Sequence, residues 1–318
     1  MNQSSTNHNW IVDITDHSVV LVKGIDAVKF LQGQVTCDIQ QLLSSADQRP
    51  STLGAHCTHK GRMLFTFRAF CLDDNTIALV LYRELIPQVM DSLGKYIVFS
   101  KAELIDGQQD YQLLGTKGDI LKQYLPHLSD TVNQVSLSDS IAAICLGEQR
   151  YELLLDKAKF ADENAHFKNI LYTACQTADL NAWTLENIRS GIGEVRPETV
   201  EEFIPQMLNL QSVGNGISFD KGCYTGQEIV ARMKYLGKLK RHMYRLQLAA
   251  DALPNTGDPI YSLSSEKPVG TVVMAAHADD AIEVLAVVVN TVLEEEKAYI
   301  DKEHQYQLEP LSLPYVVD

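Results

Sequence analysis

The residue pattern predicts a mixed α+β fold that ends in a small β-barrel. First, a turn signal at 59–62 is followed from Met63 to Cys71 by apolar residues at every second position, as in a half-buried strand. Second, the segment 84–96 has the spacing of an amphipathic helix. Third, short apolar runs alternate with turn-forming residues after Arg241, which is typical of a small barrel or sandwich. Helices mixed with antiparallel strands indicate a sheet with helices packed on one face.

The first part of the chain is expected to alternate strands with two helices. Asp26 is the expected N-cap of a short helix that stops at Gly33. The second helix, at 84–96, places Leu85, Val89 and Leu93 on its inner face. Strands are expected as a pair within 11–22 and as single strands at 52–57, 63–71 and 76–82.

A second unit and the barrel follow. Strands are predicted at 111–114, 141–146 and 151–155, and helices at 118–124, 157–177 and 181–190. The predicted barrel strands are 244–248, 259–263, 269–275 and 282–289. We therefore expect a flexible tail at 1–9, two subdomains at 10–115 and 116–240, and a barrel at 241–318.

The composition indicates a globular, cytoplasmic protein without a membrane span. The chain has 318 residues, of which 45% are hydrophobic and 21% charged, and no apolar run reaches spanning length. Its six cysteines include no Cys-x-x-Cys pair, which favours reduced thiols and gives no basis for a metal site. The net charge of −14 opposes general nucleic-acid binding, because phosphate contacts need clustered cations. A basic run from Arg232 to Arg241 is the exception: it is either a solvated turn or a docking surface for an anionic ligand tail or RNA.

The strongest functional signal is the octapeptide Lys-Gly-Cys-Tyr-Thr-Gly-Gln-Glu at 221–228. Thr225 and Glu228 have the spacing of a capping box, which predicts that a helix begins here. Cys223 would then lie near the positive end of the helix dipole, two residues from Lys221, and both influences favour the thiolate. A tight loop with a small buried cysteine is the alternative interpretation.

The octapeptide resembles the signature of the YgfZ-type folate-binding proteins, relatives of the glycine-cleavage T-protein, an aminomethyltransferase. Its flanks, Phe203–Gln211 and Ile229–Lys234, share the resemblance, and Gly24–Asp38 and His59–Arg62 match the family's first helix and first hairpin. The resemblance covers most of the chain. It implies a T-protein-like fold with two ferredoxin-like subdomains, a small C-terminal β-barrel, and the Cys223 loop facing a central cavity where they meet.

The resemblance also implies a folate pocket that contains Trp183 and His17. The family uses an aromatic residue at each position, and the imidazole of His17 is the weaker stacking group; a core role is the alternative for Trp183. Arg189 stands where the family has a glutamate that holds the guanidine-like edge of the pterin. Because arginine only donates hydrogen bonds, pterin recognition should be weakened unless Glu186 or Glu194 supplies the acceptor.

The implied function is folate-dependent support of iron–sulfur enzymes, including those that modify tRNA. Cys223 would be the active thiol, with Lys221 as its activator and Gln227 and Glu228 completing the site. The implied cofactor is tetrahydrofolate or a polyglutamylated derivative, and the implied partners are iron–sulfur enzymes and, indirectly, tRNA. The alternatives are a folate-independent thiol redox or sulfur-carrying protein and a one-carbon transferase. The transferase is disfavoured, because the catalytic aspartate of T-proteins has no acidic counterpart at 61–66.

Overall fold

The computed structural model describes residues 9–43, 49–125, 127–159, 165–235, 237 and 239–317. Within these residues a large sheet covered by helices is followed by a closed barrel. The helices are α1 (Ala27–Gln32), α2 (Ile86–Ile97), α3 (Ile120–Tyr124), α4 (Ala165–Ala174), α5 (Leu180–Arg189), α6 (Gln227–Tyr235) and α7 (Asn290–Glu295). Short 3-10 helices lie at 39–43, 83–85, 197–199 and 205–208. None of the described helices is long and apolar enough to cross a membrane.

The described part of the large sheet has eleven strands. They are β1 (Trp10–Asp13), β2 (His17–Lys23), β3 (Arg49–Cys57), β4 (Met63–Asp73), β5 (Thr76–Tyr82), β6 (Glu103–Asp106), β7 (Tyr111–Lys117), β8 (Gln134–Leu137), β9 (Ile141–Gly147), β10 (Arg150–Asp156) and β11 (Gln176–Thr177). Their order is β11-β1-β7-β10-β9-β8-β3-β4-β5-β2-β6. The β3–β4 hairpin, β5 and α2 lie where the sequence pattern predicts them.

The two predicted subdomains share this one sheet. Among the described residues, β3 pairs with β8 through Arg49 with Val135 and Pro50 with Gln134, and this pairing joins the two groups of strands. Strand β1 leaves the N-terminal region to pair with β7, so the expected boundary at residue 115 falls inside a strand. The helix expected over 157–177 ends earlier: α4 stops at Ala174, and Gln176–Thr177 form a strand parallel to β1. Residues 160–164 of that expected helix lie outside the described residues.

The C-terminal barrel is confirmed. Its strands are β12 (Arg241–Leu248), β13 (Pro259–Ser262), β14 (Ser265–Ala278), β15 (Ala281–Val289), β16 (Ala298–Tyr299) and β17 (Gln307–Leu311). They close in the order β12-β15-β14-β13-β16-β17. The last two strands are short, and the sequence pattern did not predict them.

Helix α5 links the sheet to the barrel. The Asp179 carboxylate accepts a hydrogen bond from the Ala182 N–H at 3.0 Å and caps the helix, as N-terminal aspartates commonly do. Asn181 exchanges two hydrogen bonds with the backbone of His277 in the barrel, at 2.8 and 2.9 Å. Trp183 and Ile188 on the same helix are buried. The helix is therefore bound to the barrel through Asn181 and buries Trp183 and Ile188 in the core. These contacts fix the positions of its side chains.

Candidate functional site

The three segments that carry the family resemblance meet in space. Gly226 of the octapeptide has φ +84°, and a Cβ there would lie 2.6 Å from the Thr58 carbonyl oxygen in the β3–β4 turn. Gly61 of that turn has φ +70°, and a Cβ there would lie 2.9 Å from the Ile229 side chain of α6. Both positions combine a left-handed backbone with close packing, and only glycine tolerates this combination.

The beginning of α6 differs from the predicted capping box. The helix begins at Gln227, so Thr225 lies too early to cap it. The Thr225 hydroxyl instead donates to the Gln34 side chain at 3.4 Å, and its N–H donates to the Gly33 carbonyl at 3.3 Å. Glu228 is exposed in the first helical turn, where its negative charge suits the helix dipole. Thr225 thus ties the octapeptide to the end of α1.

Lys221 binds backbone carbonyls of the segment that follows α1. Its ammonium donates to the backbone carbonyls of Val35 and Cys37, both at 2.7 Å. Burial lowers the pKa of Lys221 to about 8, although the neighbouring Cys37 and Asp38 oppose this effect. These two bonds fix the octapeptide loop to the segment that follows α1.

Cys223 differs from the other cysteines in exposure. All six cysteines lie in described ranges and are free; Cys223 is exposed and the other five are buried. Burial raises the pKa of Cys71 to about 11 and also raises the pKa values of Cys145 and Cys175. Exposure therefore distinguishes Cys223 from the other five cysteines.

We expect iodoacetamide to label Cys223 at least about tenfold faster than any other cysteine at pH 7.5. Each unit by which a pKa is raised lowers the thiolate fraction about tenfold, and burial also blocks access of the reagent. Mass spectrometry of peptides from a labelling time course measures the six rates, and Cys223→Ser should remove the fast phase. Equal rates at Cys223 and Cys145 would contradict the assignment.

A separate cavity brings together Trp183 and His17. Its volume is about 50 Å³, and it lies between the large sheet, helix α5 and the segment that follows this helix. Its polar or aromatic lining residues include Arg68, Tyr82, Glu152 and Glu194. None of the described residues that line it belongs to the octapeptide, so the Cys223 loop does not line the cavity that contains Trp183 and His17. The thiol and the cavity are two different parts of the molecule.

Trp183 is held tightly at the cavity wall. Only 3% of its surface is exposed, and the Arg150 guanidinium lies 5.0 Å from its ring centroid. A Cβ at Gly115 would lie 2.4 Å from the indole, so strand β7 needs a glycine beneath the ring. Trp10 meets Trp183 edge-on at 6.4 Å. Trp183 therefore belongs to the core and also lines the cavity.

His17 is part of a buried ionic cluster. Its ring nitrogens lie 2.8 Å from an Asp16 oxygen and 3.1 Å from a Glu194 oxygen, and Tyr82 contacts the ring edge-on. Burial acts to lower the pKa of His17, but the Glu194 and Asp16 carboxylates outweigh it and raise the pKa to about 10. The imidazole is therefore a cation at neutral pH. It holds Glu194 in place, a role that differs from the stacking inferred from the sequence.

Arg189 does not line this cavity. Its Nε donates to the Glu283 carboxylate of β15 at 3.0 Å, and Arg245 of β12 donates to the other Glu283 oxygen at 2.8 Å. Arg189 and Arg245 instead line a neighbouring cavity of about 520 Å³ with Lys117, Arg150 and Glu186. The two cavities share lining residues, among them Arg68 and Leu53. Arg189 therefore connects α5 to the barrel.

The sequence pattern missed some of the cavity's polar residues. Glu152 is 8% exposed in β10, where it lies between Tyr151 and Leu153. A charged residue within an apolar strand is unusual, and this feature of the sequence could have identified Glu152. Arg68 in β4 is equally buried and lies 3.6 Å from a Glu152 oxygen. Gln227 is half-buried at the start of α6 and lies outside the cavity lining.

Two further sequence expectations concern metals and charge. Within the described ranges, no three His, Cys, Asp or Glu side chains are grouped so that they could hold a metal ion. In the basic run, the Lys234 ammonium lies 3.7 Å from the ring centroid of Phe219, and Lys238 lies outside the described residues.

The amino-acid sequence is similar to those of several known bacterial proteins. The chain is 31% identical over 321 residues to the tRNA-modifying protein YgfZ of Aliivibrio fischeri (strain MJ11), covering 100% of this chain and 96% of the relative. It is 35% identical over 279 residues to the protein of the same name from Yersinia pestis (strain Pestoides F), covering 85% and 81%. An uncharacterised protein of Haemophilus influenzae is 30% identical over 308 residues, covering 96% and 98%. No family model matches the chain.

A solved structure supports the fold. The crystal structure of the glycine cleavage system aminomethyltransferase T from Bartonella henselae superposes with a TM-score of 0.74, covering 97% of this chain and 86% of that chain at 15% identity. At this identity the likeness concerns the fold alone, which is T-protein-like. Since relatives at 30% identity or more span almost the entire sequence, the chain belongs to the family of the tRNA-modifying protein YgfZ.

Proposed function

We propose that this protein binds a reduced folate in the cavity between Trp183 and His17 and supports cytoplasmic iron–sulfur enzymes that modify tRNA. The observation that carries the proposal is the cavity itself, which combines an indole with buried carboxyl groups and a cationic histidine. Relatives named as tRNA-modifying proteins support the connection to tRNA. The net charge of −14 favours an indirect role over binding of the tRNA itself.

The residues of the cavity fit the recognition chemistry of a folate. Trp183 offers an aromatic ring, and Glu152 and Glu194 offer acceptors to a donor-rich heterocycle. The neighbouring cavity is lined by Lys117, Arg150 and other cations, which favour the carboxylates of a glutamate or polyglutamate tail. When bound, a reduced folate supplies a carrier for one-carbon units. A cavity of about 50 Å³ holds only a few water molecules, so side chains must move to admit a bicyclic ring.

Calorimetric titration with 5-formyltetrahydrofolate tests the proposal. We expect one saturable site, and we expect Trp183→Leu to weaken binding up to about tenfold, because aromatic pairing contributes about 0.5–1.5 kcal/mol. Trp10→Leu is the matched control, since Trp10 contacts Trp183 but does not line the cavity. Heats no larger than dilution for the wild type, or equal losses in both variants, would refute the folate site.

We propose that Cys223 acts at the surface, on a partner, rather than on the folate. Its exposure supports this assignment, as does its absence from the cavity lining. The thiol and the folate site would then serve one function through different surfaces of the protein.

Cys223→Ala is expected to abolish rescue of iron–sulfur-dependent tRNA thiolation in cells that lack the endogenous protein. Folding and folate affinity should stay unchanged, because the side chain is exposed. Gly222→Ala is the control in the same loop, since a Cβ there meets no atom within 4 Å, and it should rescue fully. Mass spectrometry of thiolated nucleosides gives the readout. Full rescue by Cys223→Ala would leave the octapeptide with a structural role only.

A folate-independent thiol or sulfur-carrying protein is the second candidate, and the exposure of Cys223 favours it. The folate titration and the rescue assay together separate the candidates: a wild-type protein that binds no folate, combined with failure of Cys223→Ala to rescue, would favour this alternative. An aminomethyltransferase is disfavoured, because the β3–β4 turn and the start of β4 at 61–66 contain no acidic residue.

A further inference from the structure

Two stretches of the chain contain no acidic residue, and they meet beside Cys223. Residues 48–72 and 229–250 have no aspartate or glutamate, although the whole chain has 41 of these and only 27 lysines and arginines. The first stretch includes the β3–β4 turn, and the second begins within α6. The turn packs against α6 at Gly61, and the octapeptide packs against the turn at Gly226. The fold therefore concentrates positive charge next to the exposed thiol of an otherwise acidic protein.

Six cations of these two stretches form what we call the basic surface. They are exposed or partly exposed side chains of the β3–β4 turn, of α6 and of the start of β12: Lys60, Arg62, Arg232, Lys234, Lys240 and Arg241. The Lys234 ammonium lies 3.7 Å from the ring centroid of Phe219, which precedes Cys223 by four residues. Arg62 and Arg241 line one cavity of about 520 Å³. The turn is thus next to the first barrel strand, and the end of α6 is next to the chain that leads into the octapeptide.

The cations of the basic surface have no acidic partner among the described residues. Ion pairs in the described part of the chain lie elsewhere, for example between Lys95 and Asp91. Arg62 donates to the backbone carbonyl of Glu202, and Lys234 contacts aromatic rings. Clustered like charges repel one another, and an acidic chain has ample carboxylates to compensate them. A cluster that the protein leaves uncompensated is complementary to an anionic partner.

We propose that the basic surface is a docking site for an acidic segment of a partner protein, which it brings to the Cys223 thiol. This inference rests on the proposed function in one respect, namely that Cys223 acts on a partner. Carboxylates are the groups that arginine and lysine side chains bind through charge-assisted hydrogen bonds. Tyr235, which is 66% exposed at the end of α6, offers an aromatic ring of the kind that is enriched in protein interfaces.

A nucleic acid fits this surface less well. Exposed acidic residues border it beside the octapeptide and at the cavity shared with the barrel: Asp220, Glu228, Glu201 and Glu202. An RNA backbone carries a phosphate at every nucleotide and would meet these carboxylates as well as the cations. A short acidic peptide can place its carboxylates on the cations alone. The limited extent of the positive charge therefore favours a protein partner.

Fluorescence anisotropy with two labelled probes of similar charge, a decaglutamate peptide and a decauridylate RNA, tests the proposal. The surface variant combines Lys60→Glu with Lys234→Glu. The barrel variant combines Lys267→Glu with Lys297→Glu, which changes the net charge equally at exposed positions outside the basic surface. We expect saturable peptide binding by the wild type and the barrel variant, and at least about tenfold weaker binding by the surface variant. Raising the salt from about 50 to about 500 mM should weaken the wild-type complex and reduce this difference.

The rescue assay with the same two variants shows whether the surface is used in cells. The surface variant should fail to restore tRNA thiolation, because its partner no longer docks beside Cys223, and the barrel variant should restore it fully. Equal thermal unfolding midpoints of the three proteins control for folding, which we expect because all four substituted side chains are exposed.

The possible outcomes separate this inference from the proposed function. A wild type that does not bind decaglutamate, or full rescue by the surface variant, would overturn the docking site. Tighter binding of the RNA than of the peptide, lost in the surface variant, would assign the surface to nucleic acid and also overturn it. Full rescue by Cys223→Ala with failure of the surface variant would keep the docking site and defeat the role proposed for the thiol. The reverse pattern would defeat the docking site and keep the thiol.

Discussion

Glu283→Gln should destabilise the protein by about 3 kcal/mol. Glu283 is 6% exposed in the barrel and binds two arginines, one from helix α5 and one from β12. Removing the acidic partner of a buried pair leaves cations without compensation and typically costs about 3–5 kcal/mol. The lower end applies here, because 39% of the Arg189 side chain is exposed. Urea unfolding followed by circular dichroism measures the change.

Arg189→Gln is the matched control for this prediction. It should lower the unfolding free energy by only about 1 kcal/mol, because Glu283 keeps its bond to Arg245. The Arg189 side chain is partly exposed, and an ion pair of an exposed group contributes little to stability. The double variant should lose less than the sum of the single variants, since both changes remove one interaction. The ion pairs of Glu283 with Arg189 and Arg245 are held to join α5 to the barrel. Additive losses of unfolding free energy, or a Glu283→Gln variant as stable as the wild type, would contradict this.

The stability contributed by His17 should fall as the pH rises from about 6.5 to about 10. Its pKa is raised from 6.5 to about 10 in the folded protein, so in this interval the folded state binds a proton that the unfolded chain has released. The contribution is therefore complete below pH 6.5. It declines by up to about 1.4 kcal/mol per pH unit and is lost above the folded-state pKa.

A comparison with His17→Gln isolates this contribution. Other groups titrate in the same interval; Lys221, whose pKa is lowered to about 8, acts in the opposite direction. Groups present in both proteins contribute equally to both unfolding free energies, so the difference between wild type and variant cancels their contributions. We expect a difference of a few kcal/mol near pH 6.5 that narrows at pH 9. A difference that stays constant over this interval would show that His17 is not the cation of the Asp16–Glu194 cluster.

Much of the fold follows from local sequence signals. The β3–β4 hairpin, α2 and the four predicted barrel strands have clear periodicity, and the structure places them where this periodicity predicts. Strand β11 was not predictable in this way, because its two residues form a strand only through pairing with β1, more than 160 positions away in sequence. The sharing of one sheet by both subdomains also depends on pairs that are distant in sequence, such as Arg49 with Val135 and Trp10 with Lys117.

The candidate site was predictable in part. Trp183, His17 and the octapeptide were identified from the sequence, but their spatial relation was not, because it depends on how α5 and the octapeptide pack on the sheet. The capping box failed since Gly226, with its positive φ, shifts the helix start past Thr225. The role of Arg189 depends on Glu283, a contact between distant segments that spacing along the chain does not reveal.

The most direct test of the account is a crystal structure of the protein grown with 5-formyltetrahydrofolate. The account predicts the pterin ring in the cavity lined by Trp183 and His17, with the glutamate tail extending into the neighbouring cationic cavity. Ligand density at the Cys223 loop, or a cavity whose side chains remain as they are at saturating ligand, would contradict it.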